Sequence, residues 1–300
     1  MRVTVTGATG LIGSRLVREL TRRGDQVTVL SRDPDRARQA LGVEAVGWDP
    51  ITAPAPAEAL RGRGGVVHLA GENIAQRWSD DAKVRIRRSR ELGTVNLVLG
   101  LGAADPRPGV LVSSSAVGYY GSRGDEQLDE DAHPGGGFLA DVCVAWEREA
   151  LAARELGLRV AILRTGVVLD ADGGALAKML PFFRLGIGGP VAGGRQWMAW
   201  IHADDVVGMI VAALDGANWS GPVNATAGAV TNRDFSHALG RALHRPALAP
   251  VPALAIRALY GEMAELVTVS QRAVPRRAGE LGYAFGHPDL DEALRSTLGD

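Results

Sequence analysis

"VTVTGATGLIGSRL", residues 3–16, decides the fold. An alternating apolar run stops at Gly7, and a run of helical period begins at Leu11. Between them Gly7, Gly10 and Gly13 are spaced G-x-x-G-x-x-G. Gly7 permits a tight turn. Gly10 removes a side chain where a diphosphate would approach the backbone. Gly13 lets the helix pack closely on the strand. The first N–H groups of the helix, and the positive end of its dipole, then face an anion. A second strand, "QVTVLSR" (26–32), follows at the distance a βαβ unit needs. The stretch reads as a dinucleotide site formed by Gly7, Gly10 and Gly13 with the first-turn residues Leu11 and Ile12.

The end of the second strand selects the cofactor. An NAD site ends it with Asp or Glu for the ribose hydroxyls. Here Ser31 and Arg32 stand there, and the acid, Asp33, comes later. A hydroxyl and a guanidinium suit a 2′-phosphate, because arginine offers a fork of donors to phosphate oxygens. The expectation is NADP (NADPH) over NAD.

Working outward, short apolar runs alternate with helix-period segments through residue 169. Strand candidates are 2–7, 26–32, 43–48, 65–71, 109–115 and 158–169. Helix candidates are 11–24, 33–42, 79–104 and 138–156. Such alternation implies parallel strands joined by right-handed crossovers. The expected fold is α/β: a doubly wound parallel Rossmann sheet with a smaller, mostly helical C-terminal substrate region. Residues 1–169 form the NADP-binding domain, completed by 198–228. Residues 170–197 and 229–300 form the substrate side.

Composition narrows the function classes. The net charge of −1 argues against nucleic acid and membrane surfaces as partners. One cysteine cannot form an internal disulfide. The opening "MRVTVTG" lacks a charged-then-apolar leader, so a cytoplasmic protein is expected. The six histidines show no metal-ligand spacing, so no metal is proposed. The expected partner is a small-molecule substrate. Oligomeric state stays open and is compatible with a homodimer.

The stretches "VTGATGLIG", "VVHLAG", "VLVSSSAVGYYG", "LRTGVVL" and "WIHADDVV" resemble the extended short-chain dehydrogenase/reductases, the nucleotide-sugar epimerase/dehydratase group. "HLAGENIAQRW", "SRELGT", "GFLADVCVAWE" and the C-terminal "PVPALAIRALYGEMAELVTVSQRAVPRR" are similar to an atypical branch, the epimerase-family proteins. The resemblance implies that Leu69 and Ala70 line the adenosine side of the cofactor. It puts Arg90, in place of an asparagine, within reach of the cofactor. Gly166 and Val167 fall at its nicotinamide end.

The same resemblance calls for a Ser, and for a Tyr-x-x-x-Lys pair on the next helix. Ser115 matches the Ser, and Glu147 matches a Glu four residues after the Lys. Counting back places Cys143 at the Lys position and Leu139 at the Tyr position. No Tyr or Lys occurs anywhere in 122–177. Leu139, Val142, Cys143, Trp146 and Ala150 recur as one apolar helix face, which favours packing over thiol reactivity. Tyr119 and Tyr120 are the nearest replacements, with Asp141 a further candidate acid. The expectation is an oxidoreductase that reduces a carbonyl or activated double bond, with Ser115 and Tyr120 catalytic. Alternatives are a nucleotide-sugar epimerase/dehydratase-like enzyme and a non-enzymatic NADP(H) redox sensor. Elsewhere, Lys83, Arg87 and Arg90 share one helix face, read as solvated or phosphate-facing. His202, Gln196, Trp197 and Trp200 gather near the expected substrate pocket, where core packing explains them equally well.

Overall fold

Each strand of the N-terminal half sends alternate side chains to opposite faces, and helices cover both. A computed structural model describes residues 1–247 and 249–299. Position 248, inside the proline-containing stretch 244–255, and position 300 lie outside the described residues. The chain runs β1 (Arg2–Thr6), α1 (Leu11–Arg22), β2 (Gln26–Ser31), α2 (Pro34–Leu41), β3 (Glu44–Gly47), α3 (Ala57–Leu60), β4 (Gly65–His68), α4 (Asp80–Ala103) and β5 (Val110–Ala116). A 3-10 turn (Val117–Tyr120) leads to β6 (Gln127–Leu128), α5 (Phe138–Leu151), β7 (Arg159–Thr165), β8 (Val167–Leu169) and α6 (Gly174–Arg184). Then come β9 (Trp197–His202), α7 (Ala203–Asp215), β10 (Gly221–Ala225), β11 (Gly228–Thr231), α8 (Asn232–Ala242) and α9 (Ala253–Tyr260). The chain ends with α10 (Glu265–Thr268), β12 (Arg272–Ala273), α11 (Arg276–Glu280) and α12 (Leu290–Leu298).

Seven strands form one parallel sheet in the order β10-β7-β5-β4-β1-β2-β3. The order reverses between β1 and β4, the switch point where doubly wound sheets bind ligands. Val67 and Val112 point to the face covered by α1, α2 and α7; Val66 and Leu111 point to the face covered by α3, α4 and α5. Leu16, Leu20, Leu97 and Leu101 are fully buried, each worth roughly 1.5–3 kcal/mol of burial. A third core joins α6, α8 and α12 through Leu176, Leu180, Phe235, Leu239 and Leu294.

Local chemistry sets the element ends. Ser79 accepts from the Ala82 N–H at the start of α4, and Asp33 accepts from the Arg36 N–H at the start of α2. The expected sixth strand, 158–169, is two strands. Gly166 turns the chain out of the main sheet; a Cβ there would sit 2.7 Å from the Ala199 carbonyl. Past it, β8 joins β9 and β11 in a separate three-stranded sheet. Both halves are apolar and β-branched, so residue pattern alone does not show the break.

The long helix α4 crosses the 50–55 segment closely. The Ala55 N–H donates to the Asn96 carbonyl at 2.9 Å, and the Asn96 amide donates to the Pro50 carbonyl at 2.8 Å. At Gly100 a Cβ would come 2.3 Å from the Ala55 oxygen. Gly100→Ala should therefore lower unfolding free energy by about 2 kcal/mol through overpacking. Gly102→Ala, whose Cβ would meet only Leu156 at 3.6 Å, should be neutral or gain up to about 1 kcal/mol from helix propensity. Urea denaturation of the two variants checks this.

Candidate cofactor and catalytic site

The glycine turn joins β1 to α1 at the carboxyl end of the sheet. Gly7 has φ +69, and the Gly10 N–H donates to its carbonyl at 3.1 Å. A Cβ on Gly7 would strike Leu69 and Ala70 at 2.6–2.7 Å; one on Gly13 would strike the Gly7 oxygen at 2.3 Å. Both positions are closed to any side chain, so the first turn of α1 rests directly against β1 and the end of β4. Gly10 is the helix N-cap; it has no side chain to cap the N–H groups, and the first turn carries no acid. Leu11 and Ile12 are half-buried in that turn. The arrangement is a ready anion cradle.

At the end of β2, the Ser31 hydroxyl accepts from the Asp33 N–H and donates to the Asp33 carbonyl. Asp33 is committed to capping α2. Arg32 is exposed and pairs with no carboxylate among the described residues. The Trp48 N–H donates to the Ser31 carbonyl at 2.9 Å, which brings Trp48 and Asp49 beside this end of the cleft. Sequence reasoning passed over that pair. Leu69 and Ala70 are held to β1 by the Thr6 carbonyl and hydroxyl. Gly166 and Val167 lie at the exit of β7.

The expected catalytic residues Ser115 and Tyr120 lie at the end of β5 and in the turn after it, both buried. Ser115 is 4% exposed, and its hydroxyl donates to Glu147 Oε1 at 2.6 Å. Tyr120 is 0% exposed; its hydroxyl donates to Asn224 Oδ1 at 2.7 Å and accepts from Arg164 Nη1 at 3.0 Å. Burial pushes the Tyr120 pKa up to about 12, against the pull of Arg164. The Tyr120 hydroxyl thus donates to Asn224 inside the protein rather than toward open solvent. Arg164 binds Glu147 through two contacts, 2.9 and 2.8 Å, and lies 3.5 Å from the Tyr119 ring centroid. Burial opposes the Arg164 charge, but the Glu147 hydrogen bonds and charge outweigh it and raise its pKa. Glu130 joins from the other side by accepting from the Asn224 N–H at 2.9 Å. The cue in the sequence was an arginine inside the apolar run "VAILRT".

On α5, Cys143 is buried, and burial raises its thiol to about 11. Leu139 packs with Trp78, Ile86, Val142, Met263 and Leu266. The helix face is packed and uncharged at both positions. Asp141 is exposed in the first turn. Of the basic run, Lys83 pairs with Glu262 and Arg90 turns inward against Gly71.

The candidate substrate-side residues hold structure. Gln196 donates to the Val191 and Val267 carbonyls, Trp197 donates to Asp125, and Trp200 is buried in the third core. His202 caps α7 by accepting from the Asp204 N–H at 3.2 Å. Its ring packs 3.9 Å from His287, with Asp204 close by. The Asp204 carboxylate also lies 3.6 Å from Arg15. His287 is too distant in sequence for spacing to have predicted that meeting. No helix among the described residues is long and apolar enough to cross a membrane.

The profile of the NAD dependent epimerase/dehydratase family matches residues 3–224. A profile described as a domain of unknown function matches residues 251–297. The epimerase family protein SDR39U1 homolog, chloroplastic, of Arabidopsis thaliana is 42% identical over 99% of this chain and 87% of its own. A crystal structure of human epimerase family protein SDR39U1 with NADPH superposes with a TM-score of 0.89, at 33% identity and full coverage of both chains. A nucleoside-diphosphate sugar epimerase structure from Corynebacterium glutamicum has a TM-score of 0.79 at 35% identity; it matches all of this chain and 58% of that one.

Arg164→Met leaves Glu147 buried without its partner and should cost about 3–5 kcal/mol. Tyr120→Phe removes one buried hydrogen-bonding hydroxyl and should cost about 1–2 kcal/mol. Thermal and urea unfolding measure both.

Proposed function

The chain belongs to the NAD dependent epimerase/dehydratase family, and on that premise we propose that it is an NADP(H)-dependent oxidoreductase reducing a carbonyl or an activated carbon–carbon double bond. The observation that carries the cofactor half is the uncapped, acid-free N-terminus of α1 behind two glycines that no side chain can replace. Ser31 and Arg32, with Asp33 diverted to its cap, support the 2′-phosphate form. The similarity to a human protein solved with NADPH supports the same choice. The bound dinucleotide would supply the hydride. Gly7, Gly10, Leu11, Ile12 and Gly13 would hold its diphosphate, Leu69 and Ala70 its flank, and Gly166 and Val167 would border its reactive end.

This chain's remaining task is to give a proton to the substrate atom that gains electron density. Ser115 and Tyr120 have both committed their hydroxyl protons inside the protein. Tyr119 is half-buried, and its hydroxyl bonds to nothing among the described residues. It takes the acid role in this reading, with Ser115 and Tyr120 holding the turn that presents it.

A second reading, nucleotide-sugar epimerisation, is favoured by the 35% identity to the Corynebacterium glutamicum protein. It requires hydride removal and return with matched proton transfer, and Leu139 and Cys143 offer no group for that transfer.

NADPH oxidation over a panel of aldehydes, ketones and enones tests the proposal. The expected result is turnover with at least one class, lowered about a hundredfold or more by Tyr119→Phe. Tyr120→Phe should act mainly on stability. Equal turnover in wild type and Tyr119→Phe removes Tyr119 from the mechanism. NADPH binding with no turnover across the panel favours a redox sensor.

A further inference from the structure

Two histidines meet at the start of α7. His202 ends β9, and His287 lies in the segment between α11 and α12. Their ring centroids are 3.9 Å apart. Asp204, in the first turn of α7, completes a group. One donor atom from each of His202, Asp204 and His287 lies within 4.8 Å of the other two. Among the described residues this is the only cluster of its kind. The six histidines show no ligand spacing along the chain, so packing alone assembles the set.

The donors are available. His202 is 5% exposed, and its Nε2 bonds to nothing among the described residues. His287 Nδ1 is buried and has no hydrogen-bond partner among the described residues. Buried polar atoms normally find one, and an imidazole nitrogen can find it in a metal ion. Asp204 turns Oδ1 toward Arg15 Nη1 at 3.6 Å and Oδ2 toward His202 Nδ1 at 3.8 Å. Its carboxylate is largely exposed, which gives an ion a way in.

The group is also held in place. Asp205 is 3% exposed, and its carboxylate accepts from the Gly286 N–H at 2.7 Å and the His287 N–H at 3.0 Å. The Tyr283 hydroxyl donates to the Asp205 carbonyl at 3.0 Å. The His287 backbone is therefore fixed against α7 while its ring stays free to bind. Such support preorganises a metal site. The local charge is negative. Arg15 binds Asp170 at 2.6 Å and lies 3.9 Å from Asp172 as well as 3.6 Å from Asp204. Asp205 pairs with no basic side chain among the described residues. Four carboxylates thus share one arginine, and the excess calls for a cation. Two imidazoles select its class, because magnesium and calcium take oxygen ligands whereas zinc takes nitrogen.

The geometry points to a binding site for a divalent transition-metal ion of the zinc class, held by one ring nitrogen from each of His202 and His287 and by an Asp204 oxygen. Water completes the coordination on the solvent side. Asp204 and His202 lie in the stretch matched by the epimerase/dehydratase profile, and His287 lies in the stretch matched by the second profile. The ion clips the C-terminal segment onto the start of α7. The site has no part in the proposed reduction and stands independently of the dinucleotide.

Protein without an affinity tag, stripped by a chelator, is titrated calorimetrically with Zn²⁺ and with Mg²⁺; Co²⁺ absorption gives a second readout. The expected result is one Zn²⁺ per chain, visible Co²⁺ bands, far weaker Mg²⁺ binding, and a Tm that rises with Zn²⁺. His287→Gln should weaken Zn²⁺ by about 100-fold or more, beyond the loss of a residue that only supports a ligand. Asp204→Asn should weaken it by about 10-fold or more. Both variants keep the backbone clamp at Asp205, and circular dichroism with urea unfolding verifies their fold. His202 is left unchanged because it caps α7. His133→Gln, at an exposed histidine elsewhere, should bind as wild type does. Wild-type protein that binds no Zn²⁺ overturns the inference. Equal affinity in wild type, His287→Gln and Asp204→Asn overturns it too and marks an adventitious ion only. Mg²⁺ bound as tightly as Zn²⁺ overturns the assignment to nitrogen donors.

Discussion

The buried pair between Arg164 and Glu147 organises the carboxyl end of the sheet. Arg164 comes from β7 and Glu147 from α5. Ser115 at the end of β5 donates to the same carboxylate, and Tyr120 accepts from the same guanidinium. Tyr120 in turn reaches Asn224 on β10, whose N–H is held by Glu130. Glu130 also accepts from the Arg277 N–H at the start of α11. One ion pair thus fixes three strands, the 3-10 turn and the C-terminal segment relative to one another. Such a pair adds little net stability compared with an apolar replacement. Breaking it strands a charge, so the arrangement persists as a unit.

That arrangement explains why α5 can lack polar groups at 139 and 143 without collapsing the cleft. The helix is positioned from below by Glu147 and sealed from above by Trp78, Met263 and Leu266 around Leu139. The phosphate turn, on the far side of β4, depends on none of these contacts. Cofactor binding and the chemistry of α5 are therefore structurally separable, and a chain can keep the first while altering the second.

The parts legible in the sequence were those fixed by local constraints. The glycine turn is one, because only residues without a Cβ fit 2.3–2.7 Å from neighbouring backbone. The capped starts of α2 and α4 are others, and so is the packed face of α5. Side-chain direction was not legible where it depends on a turn. Spacing from Ser115 brings Tyr120 near the cleft, but the 3-10 turn carries it inward to Asn224 and leaves Tyr119 half-exposed. Gly166 gave no pattern signal because the strands on both sides of it are apolar. The meeting of His202 with His287 arises from tertiary packing alone.

A crystal structure of the protein with NADPH tests the account most directly. The account predicts the diphosphate on the Gly7–Gly13 turn, the 2′-phosphate at Ser31 and Arg32, and the nicotinamide near Gly166. It predicts that Tyr120 keeps its bonds to Asn224 and Arg164, and that its hydroxyl stays farther than ~3.5 Å from the nicotinamide C4, outside near-attack range. A Tyr120 hydroxyl freed from Asn224 and turned onto the nicotinamide would contradict it, as would a dinucleotide bound away from the glycine turn.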